Sequence, residues 1–161
     1  MVLTPFGKHQ IDSLIQWIDS AELNELWSGG SFSFPLDPQQ LSQHLSKPKV
    51  HAYLFSNKGS AIGYAELNQH IVQECKLCRV LISPQHQGKG LAKIMLSQLI
   101  ELAVTEFNVK RLSLAVFAHN YGAIRCYTQL GFSEIPNQTQ LHTFNNQCWQ
   151  LLFMQKMLSS D

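Results

Sequence analysis

The stretch Ser83–Ala92 reads SPQHQGKGLA. An apolar, strand-like run, LCRVLI, ends just before it, and a helix-like run, KIMLSQLIELA, begins just after it. A helix N-terminus leaves backbone N–H groups without partners, and the helix dipole adds partial positive charge there. Gly88 and Gly90 allow close backbone approach, and Lys89 adds a cation at the rim. The joint therefore has the make-up of an anion cradle suited to a phosphate. It is not a Walker-type loop, because Lys89 is followed by Gly90 rather than by a hydroxyl residue that would hold magnesium. It is not the dinucleotide fingerprint either, because Lys93 stands where that motif keeps its third glycine.

A second candidate for chemistry is the pair in CKLC, Cys75 and Cys78. A structural zinc site needs a second ligand pair, and Cys126 and Cys148 stand alone. Both cysteines of the pair also fall in a strand-like run, where positions i and i+3 point to opposite faces. Buried thiols are the expectation, with no metal.

The elements that must position these groups follow from periodicity. Residues 2–6 read as a first strand, and Ile11, Leu14, Ile15 and Ile18 in KHQIDSLIQWIDS have helical spacing. WSGGSFSFPLDP, residues 27–38, is a loop with three aromatics, Trp27, Phe32 and Phe34. PQQLSQHLSK is a short helix with Asp37 as N-cap and Pro38 at the first helical position. Three strands follow, at 50–55, 61–67 and 75–82, joined closely enough for antiparallel hairpins. A helix from about Gly90 to Phe107 turns Ala92, Met95, Leu96, Leu99 and Ala103 to one side. RLSLAVF, residues 111–117, is apolar enough for a central strand. NYGAIRCYTQLGF is a helix opened by Asn120 and stopped by Gly131. FSEI and NQCWQLLFMQKM close as a hairpin. A strand–helix–strand unit with a parallel crossover thus sits inside an otherwise antiparallel sheet. Residues 1–161 read as one α/β domain.

The totals narrow the function classes. The chain has 161 residues, 45% of them apolar and 14% charged, well under the typical ~25% charged, so a packed core is expected rather than disorder. The formal net charge is +1, which offers no broad basic field to nucleic acid or to an anionic membrane. The first residues, MVLTPFGKHQ, lack the charged start and apolar run of a signal peptide, and no run is long enough to span a bilayer. The expected compartment is the cytoplasm.

VLISPQHQGKGLAKIML followed by NYGAIRCYTQLGF resembles the GNAT superfamily of N-acetyltransferases. The family's loop signature is Arg or Gln, two residues, Gly, one residue, Gly or Ala. Gln87, Gly90 and Ala92 fit it. The second block fits as well, with Asn120 opening a helix, Tyr127 seven residues on, and Leu-Gly-Phe at the end. The resemblance implies a GNAT fold: one mixed, largely antiparallel sheet of about seven strands flanked by helices, with a central parallel β-α-β unit that binds the cofactor. It implies acetyl-CoA as co-substrate, its pyrophosphate on the backbone of Gln87, Gly88, Lys89, Gly90, Leu91 and Ala92. It places the pantetheine arm along the strand edge at Arg79, Val80, Leu81 and Ile82, whose amides would polarise the thioester carbonyl. It also implies a homodimer through the late strands, for which CWQLLFMQKM is apolar enough.

The implied reaction is direct attack of an amine, on a small molecule or a peptide, on the thioester. An amine with a pKa near ~10.4 must lose its proton, and the departing thiolate must gain one. Tyr127 holds the family's general-acid position, and Asn120 would hydrogen-bond the arm while capping its helix. The family's glutamate positions are occupied here by Ala115 and Lys76, so the base is left to Glu66 or Glu74, then to His119 or a water chain. Trp27, Phe32 and Phe34 lie where the family builds part of the acceptor wall. Few acidic residues lie nearby, which disfavours a strongly polycationic acceptor. The missing family base keeps a second reading open, a non-catalytic acyl-CoA sensor.

Overall fold

The computed structural model describes residues 1–158. Its elements in order are β1 (Val2–Pro5), α1 (Ile11–Trp17), α2 (Ala21–Ser28), α3 (Pro38–Leu45), β2 (Val50–Asn57), β3 (Ser60–Ile71), β4 (Glu74–Ile82), α4 (Leu91–Thr105), β5 (Arg111–Phe117), α5 (Tyr121–Gln129), β6 (Ser133–Phe144) and β7 (Gln147–Met157). One seven-stranded sheet runs β1-β2-β3-β4-β5-β7-β6. β4 and β5 are parallel, joined through α4, and the other neighbouring pairs are antiparallel.

Each face of the sheet carries its own core. Against one face pack Met95, Leu96, Leu99 and Ala103 of α4 and Tyr127 of α5, over Ala65, Leu67, Cys75 and Leu77. The helical stripe expected from the spacing is therefore the buried one. On the other face Ile11, Leu14, Trp27, Phe32 and Leu41 pack on Tyr64 and Leu81. The helices of that face differ from the sequence expectation. A single helix was expected over 8–20, but α1 ends at Trp17 and α2 starts afresh at Ala21. Ser20 caps α2, accepting from the Leu23 amide at 3.1 Å, and Gly29 ends it with φ of 59°; both are ordinary helix signals.

Two departures from regular pairing shape the centre of the sheet. β4 and β5 pair only from Glu74↔Arg111 to Lys76↔Ser113. Beyond that the strands part, leaving the β4 edge from Leu77 to Ile82 and the facing Leu114–Phe117 edge unpaired with each other. The second is a bulge. The β3–β4 register passes from Glu66↔Cys78 to Tyr64↔Leu81, so Arg79 and Val80 together oppose Ala65. An extra residue of this kind re-aims the side chains beside it. Arg79 adopts φ of 50°, and its side chain joins Glu66 on the α1–α3 face while Val80 packs on the α4 side.

Candidate functional site

The bulge lies at the open wedge between β4 and β5, and the SPQHQGKGLA joint follows directly at the end of β4. Gln87 anchors the joint by donating from Nε2 to the Ile82 carbonyl at 3.0 Å. Lys89 donates to the Gln85 carbonyl at 2.9 Å. Gly88 and Gly90 have φ of 74° and 72°. A Cβ at either would meet nothing within 4 Å, so their backbone faces open space. α4 starts at Leu91 with no side chain capping it. Its first amides are free to take an anion, as the residue types suggest.

Across the wedge, α5 carries Tyr127. Asn120 caps α5 by accepting from the Ala123 amide at 3.2 Å. Tyr127 is 8% exposed. Burial, with smaller contributions from the Cys126 and Cys78 thiolate charges, pushes its phenol far above the usual tyrosine range. It stays protonated through the neutral range and can act as a donor.

On the other side of the bulge lies a charged cluster. The Glu66 carboxylate is fully buried. It accepts from Tyr64 Oη at 2.6 Å, from Arg79 Nη1 at 2.8 Å, and from His44 Nε2 at 3.0 and 3.1 Å to its two oxygens. Burial alone would raise this carboxyl. The His44 hydrogen bond, the Arg79 and His44 charges and the Tyr64 hydrogen bond outweigh it and hold the group below the usual carboxylate range. Desolvation and the Glu66 charge push the Tyr64 phenol well up. Trp27 fixes the bulge from above, donating from Nε1 to the Arg79 carbonyl at 2.8 Å. Phe32 lies under the Arg79 guanidinium, 5.2 Å from ring centre to Cζ, in the range of a cation–π contact.

Of the residues singled out in the sequence, Arg79–Ile82, Gln87–Ala92, Asn120 and Tyr127 surround the wedge. Glu66 sits beside the bulge with no exposed surface. Glu74 does not join them. It is at the far end of β4, where the strands still pair, in an ion pair with Arg111, about 26 Å of extended strand from Ile82. His119 packs on Trp149 and Phe117, with centroids at 4.7 and 5.9 Å. Phe32 lines a cavity beside the cluster. Trp27 is buried beneath, and Phe34 is 41% exposed and outside the cavity lining. Cys75 and Cys78 are separate thiols, each pushed up to about 11, chiefly by burial. His44 was missed. It falls three residues after the buried Leu41 on α3, so its place on the inward face was readable from helical spacing.

A parallel strand pair that opens into a wedge, with a glycine-rich cradle at its end and a buried tyrosine on the helix that follows, is the arrangement expected of an acyl-transfer enzyme. Residues 12–132 match the Acetyltransferase (GNAT) family, and the chain belongs to that family, as an N-acetyltransferase. Over 147 residues it is 29% identical to the uncharacterised N-acetyltransferase YycN of Bacillus subtilis, spanning 83% of this chain and 93% of that one. It is 25% identical over 134 residues to the spermidine N(1)-acetyltransferase of Escherichia coli, spanning 81% of this chain and 72% of the relative. The fold overlays that of a spermidine N-acetyltransferase from Vibrio cholerae in complex with CoA and spermine, with a TM-score of 0.82, 19% identity, and 97% and 94% of the two chains covered. Among the described residues no helix is long and apolar enough to cross a membrane.

Proposed function

We propose that residues 1–161 form a single acyltransferase domain that moves an acetyl group from acetyl-CoA to a primary amine by direct attack, without an acyl-enzyme. The observation that carries this reading is the unpaired β4 edge from Leu77 to Ile82, ending in the open backbone of Gly88 and Gly90, with Tyr127 buried in the core on the α4 side of the sheet. The residues fit the co-substrate. The free amides from Gln87 to Ala92 suit its phosphates, and the β4 edge suits its amide-bearing arm, as an added strand would. Acetyl-CoA, when bound, supplies an activated acyl carbon on sulfur.

The chain's own residues do the rest. The bulge leaves Arg79 and Val80 out of the β3 ladder, so their backbone donors can face the thioester carbonyl. Glu66 has no exposed surface, so it acts through His44: it orients the ring and stabilises the imidazolium formed when His44 takes a proton from the incoming ammonium. The nitrogen then bonds to the acyl carbon and the carbon–sulfur bond breaks. The Tyr127 hydroxyl protonates the departing thiolate. The nitrogen gives up a second proton, which restores Tyr127 through water, and the proton on His44 passes to solvent. The balance is one ammonium and one thioester in, one amide, one thiol and one proton out. Four free thiols suit a reducing compartment, which supports the cytoplasm as its location. A homodimer through the late strands remains part of the reading, since β6 is an edge strand and Leu141 on it is 77% exposed.

Calorimetric titration with acetyl-CoA tests the reading, followed by release of free thiol with a panel of amines. The wild type is expected to bind in the micromolar range. Gly90→Glu and, at an exposed side chain, Lys89→Glu should weaken binding with the far-ultraviolet spectrum unchanged. Tyr127→Phe should bind acetyl-CoA as the wild type does and lose about 10²–10⁴-fold in kcat. No binding by the folded wild type would sink the proposal, and full turnover in Tyr127→Phe would remove the acid from that residue.

A further inference from the structure

Beside the bulge, between α3, the start of β2, β3 and β4, lies a cavity of about 570 Å³. That is the size of a small-molecule site. Its ionisable lining is His44, Lys47, Lys49, His70 and Arg79. Among the described residues no carboxylate lines it. Two acids touch its lining residues: Glu66 is fully buried and already shared by Arg79 and His44, and Asp37 is held by Gln40 through both oxygens. Lys47, Lys49 and Arg79 outnumber Glu66 and Asp37, and the cavity carries net positive charge. Two polar atoms of its lining residues, Arg79 Nε and Asn68 Oδ1, are buried without a protein partner. Such atoms are uncommon in folded chains and call for a ligand or a water. Arg79 thus lines the cavity while its backbone sits at the wedge.

Resting on the N-acetyltransferase reading above, we propose that this cavity selects an acceptor that carries an anionic group as well as its amine: a small amino acid or similar zwitterion. Arg79, Lys47 and Lys49 hold the anion, which directs the amine toward the wedge. A polyamine would bring a second cation into a cavity that has no free acid to receive it. On this proposal the acceptor differs from the one in the names of the spermidine relatives, although the fold is shared.

The test is a matched series of four-carbon amines, 4-aminobutyrate, butylamine and 1,4-diaminobutane, with 3-aminopropionate and glutamate to vary the distance to the carboxylate. The expected order of kcat/KM is a carboxylate-bearing amine first and the diamine last, at least tenfold apart at low salt and converging as salt screens the charges. Lys47→Glu/Lys49→Glu, at two exposed positions, should reverse that order while acetyl-CoA binding stays unchanged. A wild type that prefers the diamine overturns the proposal and leaves the transferase reading standing. If no amine turns over, calorimetry of 4-aminobutyrate and 1,4-diaminobutane, with and without CoA, decides. Tighter binding of the carboxylate supports the proposal. Tighter binding of the diamine, or binding of neither, ends it. Loss of the transferase reading itself is read separately, from the acetyl-CoA titration.

Discussion

Replacing Glu66 by glutamine keeps the side chain's volume and one acceptor oxygen but removes its charge. The substitution places an amide N–H₂ among groups that donate. Tyr64 Oη, Arg79 Nη1 and His44 Nε2 all approach the carboxylate within 3.1 Å, and one oxygen cannot serve all of them. Removing one partner of a buried ion pair strands the other, a loss of about 3–5 kcal/mol. At 2–4 °C per kcal/mol for a chain of this size, Tm should fall by roughly 6–20 °C. The pH dependence has a fixed sign. The folded carboxyl titrates below its ordinary value, so the unfolded chain binds the proton more readily. The Glu66 contribution is then fully present above the unfolded value near ~4.3 and is lost as pH falls through the lower folded value. Urea unfolding followed by circular dichroism at pH 7, 5 and 3.5 should show a gap between wild type and Glu66→Gln that is widest at neutral pH and narrows in acid. Adding Arg79→Met should recover part of the loss, because the stranded cation is gone. A Glu66→Gln variant within about 1 kcal/mol of the wild type at pH 7, or a gap that widens on acidification, would refute the account of the cluster.

Two further outcomes follow from packing and burial. Gly63→Ala places a Cβ 2.9 Å from both Ile82 Cδ1 and Met95 Sδ and 3.2 Å from the Leu81 carbonyl oxygen, so overpacking should destabilise the chain by about 1–3 kcal/mol, measured as a fall in the urea midpoint at unchanged slope. Cys148 is exposed, whereas Cys75 and Cys78 are covered and pushed up to about 11. Cys148 should therefore be alkylated first at pH 8, with the other two modified only as the protein unfolds, as mass spectrometry of timed samples would show.

The fold was legible where burial writes a period into the sequence. α4 and β5 each carry a clear apolar pattern, and Asp37, Asn120 and Gly131 mark ends that the structure confirms. Legibility failed where burial leaves no pattern. β6 was expected to span only FSEI, yet it continues to Phe144. No residue of β6 is buried, and its register shifts between Glu134 and Thr139, so neither alternation nor continuous apolarity marks the strand. Its pairing comes from β7, through a tight turn at Asn145 and Asn146, both with positive φ. The first connection of the α1–α3 face failed differently. Ser20 and Gly29 do signal α2, but the short run they bound falls between the helix read over 8–20 and the loop read over 27–38.

The site divides along the same line. The cradle and Tyr127 are local to two short motifs, so residue type and spacing reveal them. The cluster under the bulge is not local. Glu66 meets a histidine 22 positions before it and an arginine 13 positions after it, and strict alternation along β4 would send Arg79 to the opposite face from Cys78. The bulge, with Arg79 at positive φ, breaks that alternation and turns the guanidinium toward Glu66. A carboxylate that looks free in the sequence is thereby spent inside the protein, and the neighbouring cavity is left with cations. Where the Arg79 charge sits is thus set by one extra residue in one strand, a feature that neither composition nor net charge can report.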